Sequence, residues 1–177
     1  MFRKIMLASA LAIASNGLFA GDQYVDESGY AVSGYDVVEF FSLPQSAIGE
    51  EQPEAVPGKK TITADYNGAK WAFSSEKNRE VFLANPARFA PQYDGHCAYG
   101  VSKGGKVPAN PNLWRITDDK LYLNINPPVV SFFEEDISGT LSRAERKWKK
   151  LESKSASSKS WKVLKANDGT YTMESPL

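Results

Sequence analysis

His96 and Cys97 stand side by side, and they are the only imidazole and the only thiol in the chain. As a nucleophile and its base they are badly placed. Adjacent side chains point to opposite faces of a strand, or about 100° apart on a helix. A catalytic Cys97 would need another base, and Asp94 could serve only with unusual tuning. As metal ligands, Cys97 and His96 could hold copper or another transition-metal ion with help from Tyr93, Asp94, Tyr99 or a second chain, because Gly95 and Gly100 let the backbone turn there. As structure, Cys97 is a small buried apolar residue and His96 a hydrogen-bonded loop residue. Tyr93 and Tyr99 flank the cysteine, where aromatics line a ligand or simply pack.

The elements that must position these residues are legible from periodicity. Gly34 to Phe41 reads as a short helix, with Asp36 as cap and Glu39 closing a capping box. Residues 42–58, carrying Pro44, Pro53, Pro57 and Gly58, form a loop. Lys60 to Tyr66 alternates apolar and polar side chains, Asn67-Gly68 supplies a tight turn, and Ala69 to Phe73 returns; this register sets Ile62 against Phe73 and Ala64 against Trp71. Ser75 caps a helix to about Asn85, which Pro86 ends, with Val81, Phe82, Asn85 and Phe89 on one stripe.

A short helix or turn follows at His96 to Gly105. Leu113 to Ile125 forms a second hairpin around Asp118-Asp119, with Trp114 facing Leu123 and Ile116 facing Leu121. Pro127 opens a helix through Phe133, and Thr140 caps another bearing Leu141, Ala144, Trp148 and Leu151. Residues 153–160 read as a Lys/Ser linker, and Trp161 to Met173 as an added strand or hairpin turning at Asn167-Asp168-Gly169. The fold class expected is α+β: small antiparallel β-hairpins packed with short helices in one domain, residues 21–152, followed by an extension over 153–177.

From Val32 to Trp148 the order of several short motifs resembles the exported branch of the YHS domain family. They are Ser33-Gly34-Tyr35-Asp36, Tyr66-Asn67-Gly68 with Trp71 and Phe73, and Ser74-Ser75 with Asn78-Arg79 and Phe82. Asn85-Pro86, Ala90-Pro91-Gln92-Tyr93, Cys97-Ala98-Tyr99-Gly100-Val101 and Lys120-Leu121-Tyr122-Leu123-Asn124 continue the series. The resemblance implies an α+β module related to heavy-metal-binding domains. It also implies that the cysteines of metal-binding relatives fall here on Ser33, Ser74 and Asn78. Hydroxyls and amides are poor ligands for copper or zinc, so the soft-metal site is dismantled at those positions. Two readings of the vacated place stay open: Ser74 or Ser75 capping a helix with Asn78 bonded locally, or a polar pocket for a small ligand or hard cation.

The first twenty residues read as a signal peptide, because Arg3 and Lys4 precede the short apolar run Ile5 to Ala14 and Ala20 offers a cleavage point before Gly21. Cleavage leaves 157 of the 177 residues, enough for one domain. Loss of Arg3 and Lys4 takes the formal charge from 0 to −2, which gives no field for nucleic acid or anionic lipid. The run is too short to span a bilayer and no cysteine stands near Gly21 for lipidation, so a periplasmic or secreted protein with no stable membrane anchor is expected. Met173 is the only methionine outside that segment, so His96, Cys97 and Met173 are its whole stock of soft ligands. The function expected is a non-enzymatic exported binding module for a small ligand, a metal ion or a protein, with heavy-metal handling implied by the resemblance. A thiol-dependent enzyme or redox protein using Cys97, and a protein-interaction domain without metal, are the alternatives.

Overall fold

The computed structural model describes residues 21–160 and 175–177. The signal segment expected over 1–20 and the hairpin expected over 161–173 lie outside the described residues. The fold is α+β: two antiparallel two-stranded hairpins packed with short helices.

The first hairpin joins β1 (Lys59–Tyr66) to β2 (Ala69–Phe73). Asn67 and Gly68 both take positive φ, 50° and 71°, the twist that lets two residues reverse the chain between right-twisted strands. Ala64 pairs with Trp71 as its alternation predicts. The expected pairing of Ile62 with Phe73 does not form. The register shifts between Lys59 and Thr63, and Lys59 faces Phe73 instead. The cause lies upstream, where the Gly58 amide donates to Gly34 O at 2.9 Å and Pro57 bridges to Tyr35, so the entering chain is pinned and the strand bulges to meet it.

Helix α1 (Glu76–Ala84) follows, with the Ser75 hydroxyl accepting the Asn78 amide as its N-cap. It sets Phe82 against Trp71 and Phe73, with ring centroids 5.1 Å apart in each case, and against Tyr66 at 5.7 Å. Val81, expected on the same stripe, is exposed. Pro86 opens a further one-turn helix, α2 (Pro86–Phe89), which lays Phe89 edge-on to Phe41. The helix expected over Gly34 to Phe41 is only a 3-10 turn at Glu39–Phe41, because Val32 and Ser33 take positive φ just before it.

After α3 (Ala98–Lys103) comes the second hairpin, β3 (Asn110–Thr117) with β4 (Lys120–Asn124). Trp114 faces Leu123 and Ile116 faces Leu121, as read from the sequence. This hairpin is buried on both sides. Trp114, Leu121 and Leu123 join the core of the first hairpin, whereas Tyr122 turns into a second core with Tyr93, Ala98, Val101, Phe133, Ala144 and Leu151. Helices α4 (Pro127–Glu135) and α5 (Ile137–Leu151) close that second core. The N-cap of α5 is Asp136, whose carboxylate accepts the Gly139 amide at 2.9 Å; Thr140, expected as the cap, is a buried residue inside the first turn.

Residues 153–160 are laid against the domain and do not hang free as a linker. Tyr24 donates its hydroxyl to Lys159 O at 3.1 Å, and Lys106 donates to Lys154 O at 2.6 Å. At the far end, Ser175 donates its hydroxyl to Ser33 O at 2.8 Å.

Phe82 is fully buried among three aromatic rings of the first hairpin. Phe82→Ala is therefore expected to cost about 3–5 kcal/mol of stability, read as a lower urea midpoint at an unchanged denaturant slope.

Candidate functional site

Three places group the chemistry-bearing side chains: the His96-Cys97 turn, the junction of β2 with α1, and a cavity between the 49–54 loop, β3 and α4.

At the first, the chain turns through Tyr93 and Asp94, both with positive φ (59° and 52°), then reverses at Gly95. His96 is fully buried and both ring nitrogens are engaged. Nε2 accepts the Ser157 amide at 3.1 Å, so the proton sits on Nδ1, which lies 2.9 Å from Tyr93 O. Burial pulls its pKa down to about 4, with the nearby Lys106 ammonium helping and the Tyr93 carbonyl opposing. The ring is neutral at pH 7.

Cys97 is equally buried, and its sulfur accepts the Gly100 amide at 3.4 Å as N-cap of α3 while the thiol lies 3.6 Å from Asn124 Oδ1. Burial pushes the thiol up to about 11. Thiolate chemistry at neutral pH has no basis there.

Tyr93 packs on Tyr122 and Trp148 and donates its hydroxyl to Glu145 at 3.2 Å, and burial drives its pKa well upward. Tyr99 stacks on Phe132 with Lys103 above its ring. Asp94 differs from its neighbours. Its carboxylate is 8% exposed, one oxygen is buried without a partner, and burial raises its pKa to about 6. His96, Cys97 and Tyr93 thus spend their donor atoms on the protein itself, whereas Asp94 keeps one unpartnered oxygen. Among the described residues no group of three or more His, Cys, Asp and Glu side chains could hold a metal ion. The turn does not fit a soft transition metal, and the adjacent pair is no dyad.

At the second place, Ser74 and Asn78 come together and Ser33 does not join them. Asp36, missed as a site residue because it reads as a cap, is fully buried at the centre. Its Oδ2 accepts the Ser74 amide and hydroxyl, each at 2.7 Å, and Asn78 Nδ2 at 2.8 Å; its Oδ1 accepts the Val38 amide. Asn78 Nδ2 also donates to Glu39 Oε1 at 2.6 Å. Ser33 donates to Asp26 Oδ2 instead, at 2.6 Å. Of the two readings of the vacated site, local bonding and helix capping describe it. The donors present are saturated by one another.

The third place has no counterpart among the residues singled out in the sequence. A cavity of about 420 Å³ is lined by Trp114, Leu113, Pro127 and Val130 on its apolar side and by Glu50, Glu51 and Glu54 on its acidic side. Glu134 also lines it but is taken up by Arg115 and by the Gly49 amide. No lysine or arginine lines it. Asn110 does, at 1% exposure: its Oδ1 accepts the Asn112 amide at 2.9 Å, and its Nδ2 is buried without a partner. Only Glu50, Glu51 and Glu54 in the 49–54 loop hint at this in the sequence.

No protein-family model, no curated protein and no solved structure matches the chain. Among the described residues no helix is long and apolar enough to cross a membrane.

Two outcomes test the structural roles at the turn. His96 has a folded pKa of about 4, below its ordinary 6.5, so between those values the unfolded chain binds more protons and stability falls as the pH is lowered. Asp94 pulls the other way over roughly the same window, because its raised pKa makes the folded state the better proton binder. Comparison with His96→Gln isolates the first effect. Wild type should lose about 3 kcal/mol relative to the variant between pH 6.5 and 4, measured by urea unfolding at each pH. For Cys97, iodoacetamide should label the folded protein no faster than global unfolding exposes the thiol.

Proposed function

We propose that this protein is an exported, non-enzymatic binding module of the YHS type, and that its ligand is a small organic cation held in the cavity beside β3. The observation that carries the reading is a cavity with one apolar and one acidic lining and no basic side chain in its wall.

The charge argument runs in the same direction. Three carboxylates face a cavity that no basic side chain lines, and Trp114, Leu113, Pro127 and Val130 offer contact for a hydrocarbon body. A compact ammonium compound meets all of these features. The volume suits a molecule of that size and excludes a folded macromolecule. Export is supported by the sequence alone, through the charged start and short apolar run. The YHS reading is supported by motif order and agrees with the α+β architecture. Heavy-metal handling, which the same resemblance implies, gains nothing from the donor atoms of His96, Cys97, Ser33, Ser74 or Asn78.

Isothermal titration calorimetry of the processed protein supplies the test. Choline and tyramine should bind, and 3-(4-hydroxyphenyl)propionate, which replaces the ammonium of tyramine by a carboxylate, should not. Replacing Glu50, Glu51 and Glu54 by glutamine should weaken the cations at least tenfold, equivalent to about 1.4 kcal/mol. Equal affinity for the cation and its anionic counterpart would remove the basis of the proposal. Native mass spectrometry with Cu(I), Cu(II) and Zn(II) covers metal binding, where no retained ion is expected.

A further inference from the structure

Gly21 is held where no other residue fits. A side-chain carbon built on it would stand 1.8 Å from Glu152 O and 2.9 Å from Lys106 Nζ. The following residues are fastened as well, with the Tyr24 amide donating to Asp94 O at 2.8 Å and Gln23 Nε2 donating to the same oxygen at 2.9 Å. The chain immediately after the expected cleavage point is thus docked beside Asp94.

Asp94 is the buried carboxylate with an unsatisfied oxygen, and the groups acting on it are Lys106, Glu152 and Asp22. That is three carboxylates and one ammonium. Lys106 is further occupied by Glu152 O and Lys154 O, at 3.0 and 2.6 Å. Glu152 is the C-cap of α5, and its carbonyl lies at the negative pole of that 15-residue helix. The place calls for a second cation.

We propose that the α-ammonium of Gly21, created when the signal segment is removed, is that cation: it pairs with Asp94 and caps the C-terminal end of α5. The inference rests on the export reading of the sequence, and on no property of the cavity beside β3. An uncleaved chain carries a neutral peptide nitrogen at this position, so processing adds a second cation to a group of three carboxylates and one ammonium. Removal of the signal then completes the fold as well as releasing the protein.

Protein recovered from the exported fraction is first weighed intact, which tests cleavage separately from pairing. A mass beginning at Gly21 is expected, and any other start overturns the proposal. The α-amine is then titrated by NMR in the same material with Gly21 labelled. It should ionise about one unit above the ordinary range of 7.7–8.0; a value inside that range overturns the pairing. Selective transamination of Gly21 to a neutral glyoxylyl group should raise the unfolding equilibrium constant about tenfold in wild type, and leave Asp94→Asn unchanged. An equal effect in both backgrounds, or none in wild type, refutes the pair. The titration uses unaltered protein, so it decides the matter even if Asp94→Asn fails to fold.

Discussion

A carboxylate removed from water must be surrounded by donors, and the Asp36 side chain is removed completely. Four hydrogen bonds reach it, from Val38, twice from Ser74, and from Asn78. Those residues come from the opening segment, the end of β2 and the first turn of α1, which lie some forty positions apart in the chain. An arrangement that separates these elements leaves the carboxylate without its donors, so the bonds tie their placement together. The packing of Phe40 against Trp114 and of Phe82 against the first hairpin follows from this placement. Hydrophobic burial supplies most of the stability, but it is non-directional and does not select one docking of the opening segment.

The same logic assigns the lone thiol and imidazole. A free sulfur is open to oxidants unless the fold covers it, and here it is covered and used as a helix cap. His96 links the turn after Tyr93 to residue 157, so the segment beyond α5 is stitched to the interior through a neutral ring. Both residues look reactive by type. Their hydrogen bonds show that they are fasteners.

How far the sequence discloses this depends on the range of each interaction. Asn67-Gly68 and Asp118-Asp119 announce their hairpins because a turn's twist is decided by its own two residues. Ser75 likewise declares α1. The register of β1 fails at Ile62, since the bulge answers to Gly34 and Tyr35, more than twenty positions upstream. Thr140 and Asp136 are both good caps, and only the course of α4 decides between them. The site was less legible than the fold. Ser74 and Asn78 were picked out correctly as neighbours, but Asp36 between them reads as an ordinary cap, and the partners of His96 and Cys97 stand 61 and 27 positions away. The cavity escaped notice because its lining comes from a loop without periodicity, a strand edge and a helix face.

A different measure, polar atoms left over after folding, locates what the chain has not done for itself. Four buried side-chain atoms among the described residues have no partner. Two are the Nε atoms of Arg79 and Arg143, whose terminal nitrogens already pair with Glu76 and Asp136, so each guanidinium keeps its counter-charge. The other two are the Asn110 amide, which has no charge to compensate it, and the Asp94 carboxylate, whose one cationic neighbour, Lys106, is shared with Asp22 and Glu152. One is a donor in a residue that lines an acidic cavity, and the other an acceptor near Lys106 and the docked Gly21 segment. Folded chains rarely leave such atoms bare, because each costs as much as several buried methylenes contribute. These two atoms are the physical reason for proposing recognition near the first and maturation near the second.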